Sequence, residues 1–185
     1  MQSYHEIIAE TLIDEETLQK RVRQLGEQIS RDYDGQDLLL ICVLRGGVVF
    51  MVDLMRQISV PHSIDCMAIS SYGAGARSSS GNVRLTLDLQ TNIEGKNVLL
   101  VEDIVDSGRT IAHVLELLGT RHPKSLKVCA LLDKAERREV AVPIDYRGFS
   151  IADKFVFGYG LDLDELYRNL PFVAVVDLKR YKGNG

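Results

Sequence analysis

Two short stretches of this chain hold nothing but apolar side chains, residues 38–44 and 98–101, and a third, residues 126–132, departs from that only at Lys127. A strand with one wet face alternates apolar with polar residues, so runs without alternation must bury both faces. After the first run come Arg45-Gly46-Gly47 and then Val48, Met51, Val52, Met55 and Ile58 at helical spacing. After the second, residues 102–108 read as a loop and residues 110–118 as a helix with Gly119 near its end. Doubly buried strands alternating with helices predict an α/β fold, a mostly parallel central sheet with helices on both faces. In such a sheet ligands collect at the carboxyl ends of the strands. Upstream, Asp14 is a candidate N-cap for an amphipathic helix carrying Leu18, Val22, Leu25 and Ile29. Residues 83–87 alternate as a short strand should.

With 185 residues, 45% of them hydrophobic and 26% charged, the chain suits one globular domain without disorder or repeats. Its formal net charge of −4, from 22 basic and 26 acidic residues, offers no global attraction to nucleic acid, which is not an expected partner. Cys42, Cys66 and Cys129 sit in apolar contexts at a spacing that suits neither a zinc site nor a disulfide framework. The N-terminal residues do not read as a leader and no apolar run approaches a membrane span, so a cytoplasmic protein without a membrane partner is expected. His5, His62, His113 and His122 form no ligand cluster in the sequence.

The chemistry is concentrated where the second apolar run meets Glu102-Asp103-Ile104-Val105-Asp106-Ser107-Gly108-Arg109-Thr110. Burying acids without a purpose is costly. If the run is a central strand, Glu102 and Asp103 emerge at its carboxyl edge, and residues 106–110 wrap the amino end of the next helix. Backbone N–H groups, the Ser107 and Thr110 hydroxyls and the helix dipole could then converge on one phosphate monoester, with Gly108 allowing close approach. Taken singly, each residue reads as a helix cap or a solvated acid; the ordered pattern favours the phosphate site. No Gly-x-x-x-x-Gly-Lys-Ser/Thr occurs, and Gly73-Ala74-Gly75 lacks the context of a dinucleotide fingerprint.

This segment resembles the signature by which type I phosphoribosyltransferases bind phosphoribosyl pyrophosphate (PRPP). Further likenesses to the hypoxanthine-guanine branch of that family are Leu44-Arg45-Gly46-Gly47, Ser71-Tyr72, Leu131-Leu132-Asp133-Lys134, the block over residues 148–162, and Arg168. One departure is Ala152, where many relatives carry proline. The resemblance implies one domain over residues 1–185, a core with a small hood from the N-terminal and 133–160 regions, and a lid loop. It also implies purine salvage: hypoxanthine or guanine accepts the phosphoribosyl group of PRPP, with Mg2+ as cofactor and pyrophosphate released.

The same likeness distributes the roles. Glu102 and Asp103 hold the ribose hydroxyls near the developing oxocarbenium charge. Both can face the sugar only if the chain twists out of strand alternation there. Residues 106–110 hold the phosphate, and Asp106 is the catalytic base near N7 of the purine. Arg45, Gly46 and Arg168 contact pyrophosphate, with a cis peptide placed at Leu44-Arg45 against an ordinary glycine turn. Metal falls to Asp162, Glu102 and Asp103, although Asp162 alone would read as a helix-start acid. Ile104, Lys134, Phe155, Val156 and Asp162 surround the purine; alone, Lys134 would be solvated and Phe155 core. Ser71 and Tyr72 belong to the lid, where composition by itself allows an inert surface loop equally well. Relatives associate as homodimers or homotetramers, often across the helix after the Leu44 strand. Two other readings are a PRPP-sensing regulator that binds RNA or DNA, for which no basic run longer than Glu136-Arg137-Arg138 exists, and transfer to a pyrimidine, which Lys134 and Phe155 disfavour.

Overall fold

The alternation hidden in the first apolar run becomes visible in its packing. In a computed structural model that describes residues 2–71 and 83–183, residues 38–44 form strand β2 (Leu38–Leu44). Leu38, Leu40 and Cys42 face one hydrophobic layer, and Leu39, Ile41 and Val43 face the other. The first layer is closed by α2 (Glu15–Asp32) and α3 (Val48–Gln57), the second by α4 (Arg109–Gly119). Asp14 caps α2 as expected, its Oδ1 accepting from the Thr17 N–H at 2.7 Å.

Around β2 stand β3 (His62–Ser71), β4 (Val83–Leu87), β5 (Asn97–Val105), β6 (Ser125–Asp133) and β7 (Tyr146–Ser150), in the order β4-β3-β2-β5-β6-β7. All pairs are parallel except β3–β4. The mostly parallel sheet with helices on both faces is therefore present. One boundary differs from the sequence reading: residues 102–105, expected in a loop, continue β5 to Val105. Unbroken parallel register with β6, from Asn97↔Ser125 to Val105↔Asp133, carries the strand through its acids.

A second, antiparallel sheet combines β1 (Ile8–Ile13), β8 (Val156–Phe157) and β9 (Val173–Val176) in the order β1-β9-β8. The 133–160 region expected in the hood thus divides. Its β7 joins the large sheet and its β8 the small one, whose central strand β9 the sequence reading did not assign. Ile13, Val156 and Val173 pack in the same cluster as Leu40 and Leu99, so the two sheets share buried contacts. A short helix α1 (Tyr4–Ile7) packs beside the small sheet through Ile7, Phe157 and Ala174.

Candidate active site

At the carboxyl end of β5 the side-chain alternation reverses. Leu99 and Val101 belong to the first layer and Leu100 to the second, yet Ile104 packs with the first and Val105 with the second. Between them stand Glu102 and Asp103, each 8% exposed. The chain therefore leaves strict strand alternation at these two acids. Burial, followed by the neighbouring Asp103 charge, pushes Glu102 well above the usual carboxylate range. Asp103 is pushed up to about 6, chiefly by burial, against the lowering effects of the Ile104 N–H and of Arg168. Glu102 Oε2 is buried without a hydrogen-bond partner, while Asp103 Oδ1 accepts from Ile104 N at 2.8 Å.

The loop after β2 closes on this acid pair. Its Leu44–Arg45 peptide is cis. A Cβ added to Gly46 would fall 1.8 Å from Asp103 Oδ2, and one added to Gly160, at φ +96°, would fall 2.3 Å from the Gly46 carbonyl oxygen. Two glycines therefore let the Gly46 loop press on the Asp103 carboxylate and the Gly160 turn press on the Gly46 backbone. Arg168 Nη1 donates to the Gly160 carbonyl at 2.8 Å, and its Nη2 lies 2.9 Å from Asp162 Oδ1. Arg45 Nη1 reaches Glu165 Oε2 at 2.7 Å. Glu102, Asp103 and Asp162 do not form a ready-made ligand cluster: among the described residues no group of three such side chains does. Asp162 instead serves Arg168 and the Glu165 N–H, at 2.9 Å each.

Beyond β5, Asp106 to Thr110 wrap the amino end of α4 as expected, with Gly108 at φ +84° as its N-cap. This loop is laced to residues 137–140, to which the sequence reading gave no role. Ser107 O accepts from Glu139 N at 2.9 Å and Val140 N at 3.0 Å, and Arg109 Nε donates to Glu139 Oε2 at 2.7 Å. Arg138 Nε donates to Asp106 O at 3.1 Å, and its Nη2 to Val105 O at 3.3 Å and to the buried carboxylate of Asp133. Arg137 Nε lies 3.0 Å from Asp106 Oδ1, and its Nη1 3.4 Å from Asp153 Oδ2. Asp153 Oδ1 in turn lies 3.8 Å from Lys134 Nζ. A row of alternating charges thus links Asp106 to Lys134, which is only 6% exposed. Asp133 and Lys134 follow an apolar strand just as Glu102 and Asp103 do, a repeated signal that could have pointed to Arg137 and Arg138.

Phe155 is 52% exposed although Val156 and Phe157 beside it are buried. That exposure sets it apart from core aromatics. Ile104 is half-buried against the first layer. Ser71 ends β3 at the same carboxyl edge of the sheet; Tyr72 and the rest of the expected lid, through residue 82, lie outside the described residues. Printed contacts aside from these join Arg45 to Glu165, Gly46 to Asp103 and Gly160, Arg168 to Gly160 and Asp162, and Asp106 through Arg137 and Asp153 to Lys134. The arrangement offers hydrogen-bond donors to a phosphate, two buried acids to a polyol and two guanidiniums to a second anion.

Known proteins share both the sequence and the fold of this chain. The pattern of the phosphoribosyl transferase domain matches residues 9–165. The hypoxanthine phosphoribosyltransferase of Salmonella typhimurium is 49% identical over 171 residues, covering 91% of this chain and 96% of that protein. The hypoxanthine-guanine phosphoribosyltransferase of Mycobacterium avium is 48% identical over 181 residues, covering 95% and 89%. A crystal structure of hypoxanthine phosphoribosyltransferase from Staphylococcus aureus superposes with a TM-score of 0.92 at 41% identity, covering 99% of this chain and 100% of that one. In fold, in the elements that frame the site and in sequence over nearly its whole length, the chain belongs to the phosphoribosyltransferase family, on its hypoxanthine branch.

Proposed function

We propose that the protein is a purine-salvage enzyme that transfers the 5-phosphoribosyl group of PRPP to hypoxanthine or guanine, giving the nucleotide and pyrophosphate. The observation that carries this reading is the buried pair Glu102–Asp103 running directly into the loop at the amino end of α4. Family membership supplies the reaction and that junction supplies its two anchors, a sugar and its 5′-phosphate.

In this scheme residues 107–110 hold the 5′-phosphate through backbone N–H groups and the Ser107 and Thr110 hydroxyls. Glu102 and Asp103 take the ribose hydroxyls. Arg45, the Gly46 backbone and Arg168 grip pyrophosphate, whose negative charge grows as its bond to C1 breaks. Lys134 donates to the purine 6-oxygen, Phe155 stacks on the ring and Ile104 packs beside it. The Val156 backbone accepts from the guanine amine. As N7 bonds to C1, Asp106 receives the proton that N7 gives up. Ser71 and Tyr72 would cover the site and keep water from the oxocarbenium-like carbon.

Magnesium is the proposed cofactor. The orphaned Glu102 Oε2 and the electrostatically linked Asp103 and Asp162 suit a small cation that takes one or two protein carboxylates and fills its shell with water and substrate oxygens. Glu102 and Asp103 would hold it on the ribose side and Asp162 on the pyrophosphate side. When bound, it neutralises leaving-group charge.

No helix is long and apolar enough to cross a membrane, and cytoplasmic location is part of the proposal. So is assembly as a homodimer or homotetramer, supported by the exposed Val48 and Val52 on α3. The deciding experiment mixes protein, Mg2+, PRPP and one base and separates the products by chromatography. Hypoxanthine and guanine should yield nucleotide and adenine far less, because its amine would leave the buried Lys134 donor unpaired. No nucleotide from either oxopurine would overturn the assignment.

A further inference from the structure

One carboxylate at the leaving-group end of the site has no part in the scheme above. Glu165 Oε2 accepts from Arg45 Nη1 at 2.7 Å and from Arg168 Nη2 at 3.3 Å. A single oxygen thus bridges the two guanidiniums assigned to pyrophosphate, as a phosphate oxygen would. Arg168 is anchored elsewhere as well, by Gly160 and Asp162. Glu165 is the acid that Arg45 meets among the described residues.

The backbone aims Glu165 deliberately. Asp164, Glu165 and Tyr167 have φ of +50°, +68° and +64°, a left-handed region that non-glycine residues occupy sparingly. Three such residues within four positions persist only where packing enforces them, and such conformations gather at functional sites. The enforcement is visible. Leu163 and Leu166 exchange backbone hydrogen bonds at 3.1 Å, Leu163 is 3% exposed, and Tyr167 packs edge-on against Phe157 at 5.8 Å between ring centroids.

We propose that Glu165 is a built-in surrogate for pyrophosphate: it neutralises Arg45 and Arg168 in the substrate-free enzyme, yields them to the pyrophosphoryl group of PRPP, and reclaims them as pyrophosphate leaves. This rests on the assignment of both arginines to pyrophosphate. The Arg45–Glu165 pair is weak because both side chains are well exposed, at 72% and 61%. Pyrophosphate brings more negative charge and several acceptor oxygens, so the exchange runs toward substrate. The acid nevertheless competes at every binding event and lowers affinity for the anion. A purely organising role, in which Glu165 holds the arginines ready for substrate, predicts the opposite sign.

The test compares the intact enzyme with E165Q, R45Q, R168Q and the E165Q/R45Q double variant, each titrated calorimetrically with magnesium pyrophosphate, alongside KM for PRPP and for hypoxanthine. E165Q keeps the shape of an exposed side chain, and its circular dichroism should match the parent's. It should bind magnesium pyrophosphate about two- to five-fold more tightly and lower KM for PRPP by a similar factor, with little change for hypoxanthine. In the R45Q background the gain should shrink. Unchanged or weaker pyrophosphate binding by E165Q, with the parent binding normally and R45Q impaired, overturns the surrogate role alone. If R45Q and R168Q both bind pyrophosphate as the parent does, the arginine assignment falls and this inference with it.

Discussion

Asp106 and Asp103 stand three residues apart and face different surroundings, and their substitution should separate chemistry from stability. Asp106 is partly exposed and meets Arg137, and it is the proposed base. Asp106→Asn keeps the shape and the backbone contacts of the phosphate loop, so PRPP binding should change little while turnover falls by roughly 10²- to 10⁴-fold, the range of a lost general base. Single-turnover rates with PRPP and hypoxanthine check this, and unchanged turnover would remove Asp106 from the base role. Asp103 is buried and pushed up from 3.8 to about 6. Between those values the native state binds more protons than the unfolded chain, so this group's contribution to stability is present in full well below pH 3.8 and is lost as the pH rises through 6. At neutral pH the penalty is about 3 kcal/mol. Asp103→Asn can still accept from Ile104 N and carries no charge. Its thermal midpoint should therefore exceed the parent's at pH 7.5, with the gap closing toward pH 4. A gap that widened on acidification would contradict the sign.

At the scale of elements, what the sequence disclosed depended on how directly packing shaped composition. Strands buried on both faces leave no polar residues, and β2 was readable to its end residues. β5 was readable only until its acids began, because a strand that delivers acids to a ligand breaks the apolar pattern on which its recognition rests. β3 carries Asp65 in its middle, where its oxygens accept from the Cys66, Gln90 and Thr91 N–H groups, and such a polar interruption hides an inner strand. β1, β8 and β9 are short and their pairing is long-range, so no local signal announces them. The place of residues 106–110 at the amino end of α4 was legible because a glycine and small polar residues stand there in order before a helical pattern. Its support by residues 137–140 was not, because a surface-looking Glu136-Arg137-Arg138-Glu139 run acquires meaning only when β6 lies beside β5. Arg138, 16% exposed at its side chain, fastens these elements: it reaches Asp133 on β6, Val105 O at the end of β5 and Asp106 O in the loop. Arg138→Ala would leave the 2%-exposed Asp133 with Arg147 alone, at a cost of about 3 kcal/mol, typical of a broken buried pair. Urea unfolding should register that loss, and KM for PRPP should rise more than KM for hypoxanthine. Arg138→Lys should rescue poorly, since one ammonium cannot span three acceptors as a planar guanidinium does.

On the scale of the whole molecule, the site draws on segments between residues 44 and 168, and each is held in place by a different part of the fold. The loop after β2 rests on Asp103 and on the Gly158–Gly160 turn, the 162–168 turn rests on the small sheet through Leu163 and Tyr167, and Lys134 and Asp106 are joined across the large sheet by Arg137 and Asp153. An unfolded chain brings none of these together, so PRPP should bind the native state alone and its binding energy should appear as folding stability. At a magnesium–PRPP concentration about one hundred times its dissociation constant, the gain is about 2.7 kcal/mol. For a chain of this length that corresponds to roughly 5–10 °C in thermal midpoint. Glu102→Gln alters a carboxyl that already sits buried and protonation-prone, so it should leave the ligand-free midpoint near or above the parent's while shrinking the PRPP-induced shift. That combination separates a ligand-binding acid from a structural one, because a structural acid would lower the ligand-free midpoint and leave the shift intact. Differential scanning fluorimetry of both proteins, with and without magnesium–PRPP, reads the two effects in a single experiment.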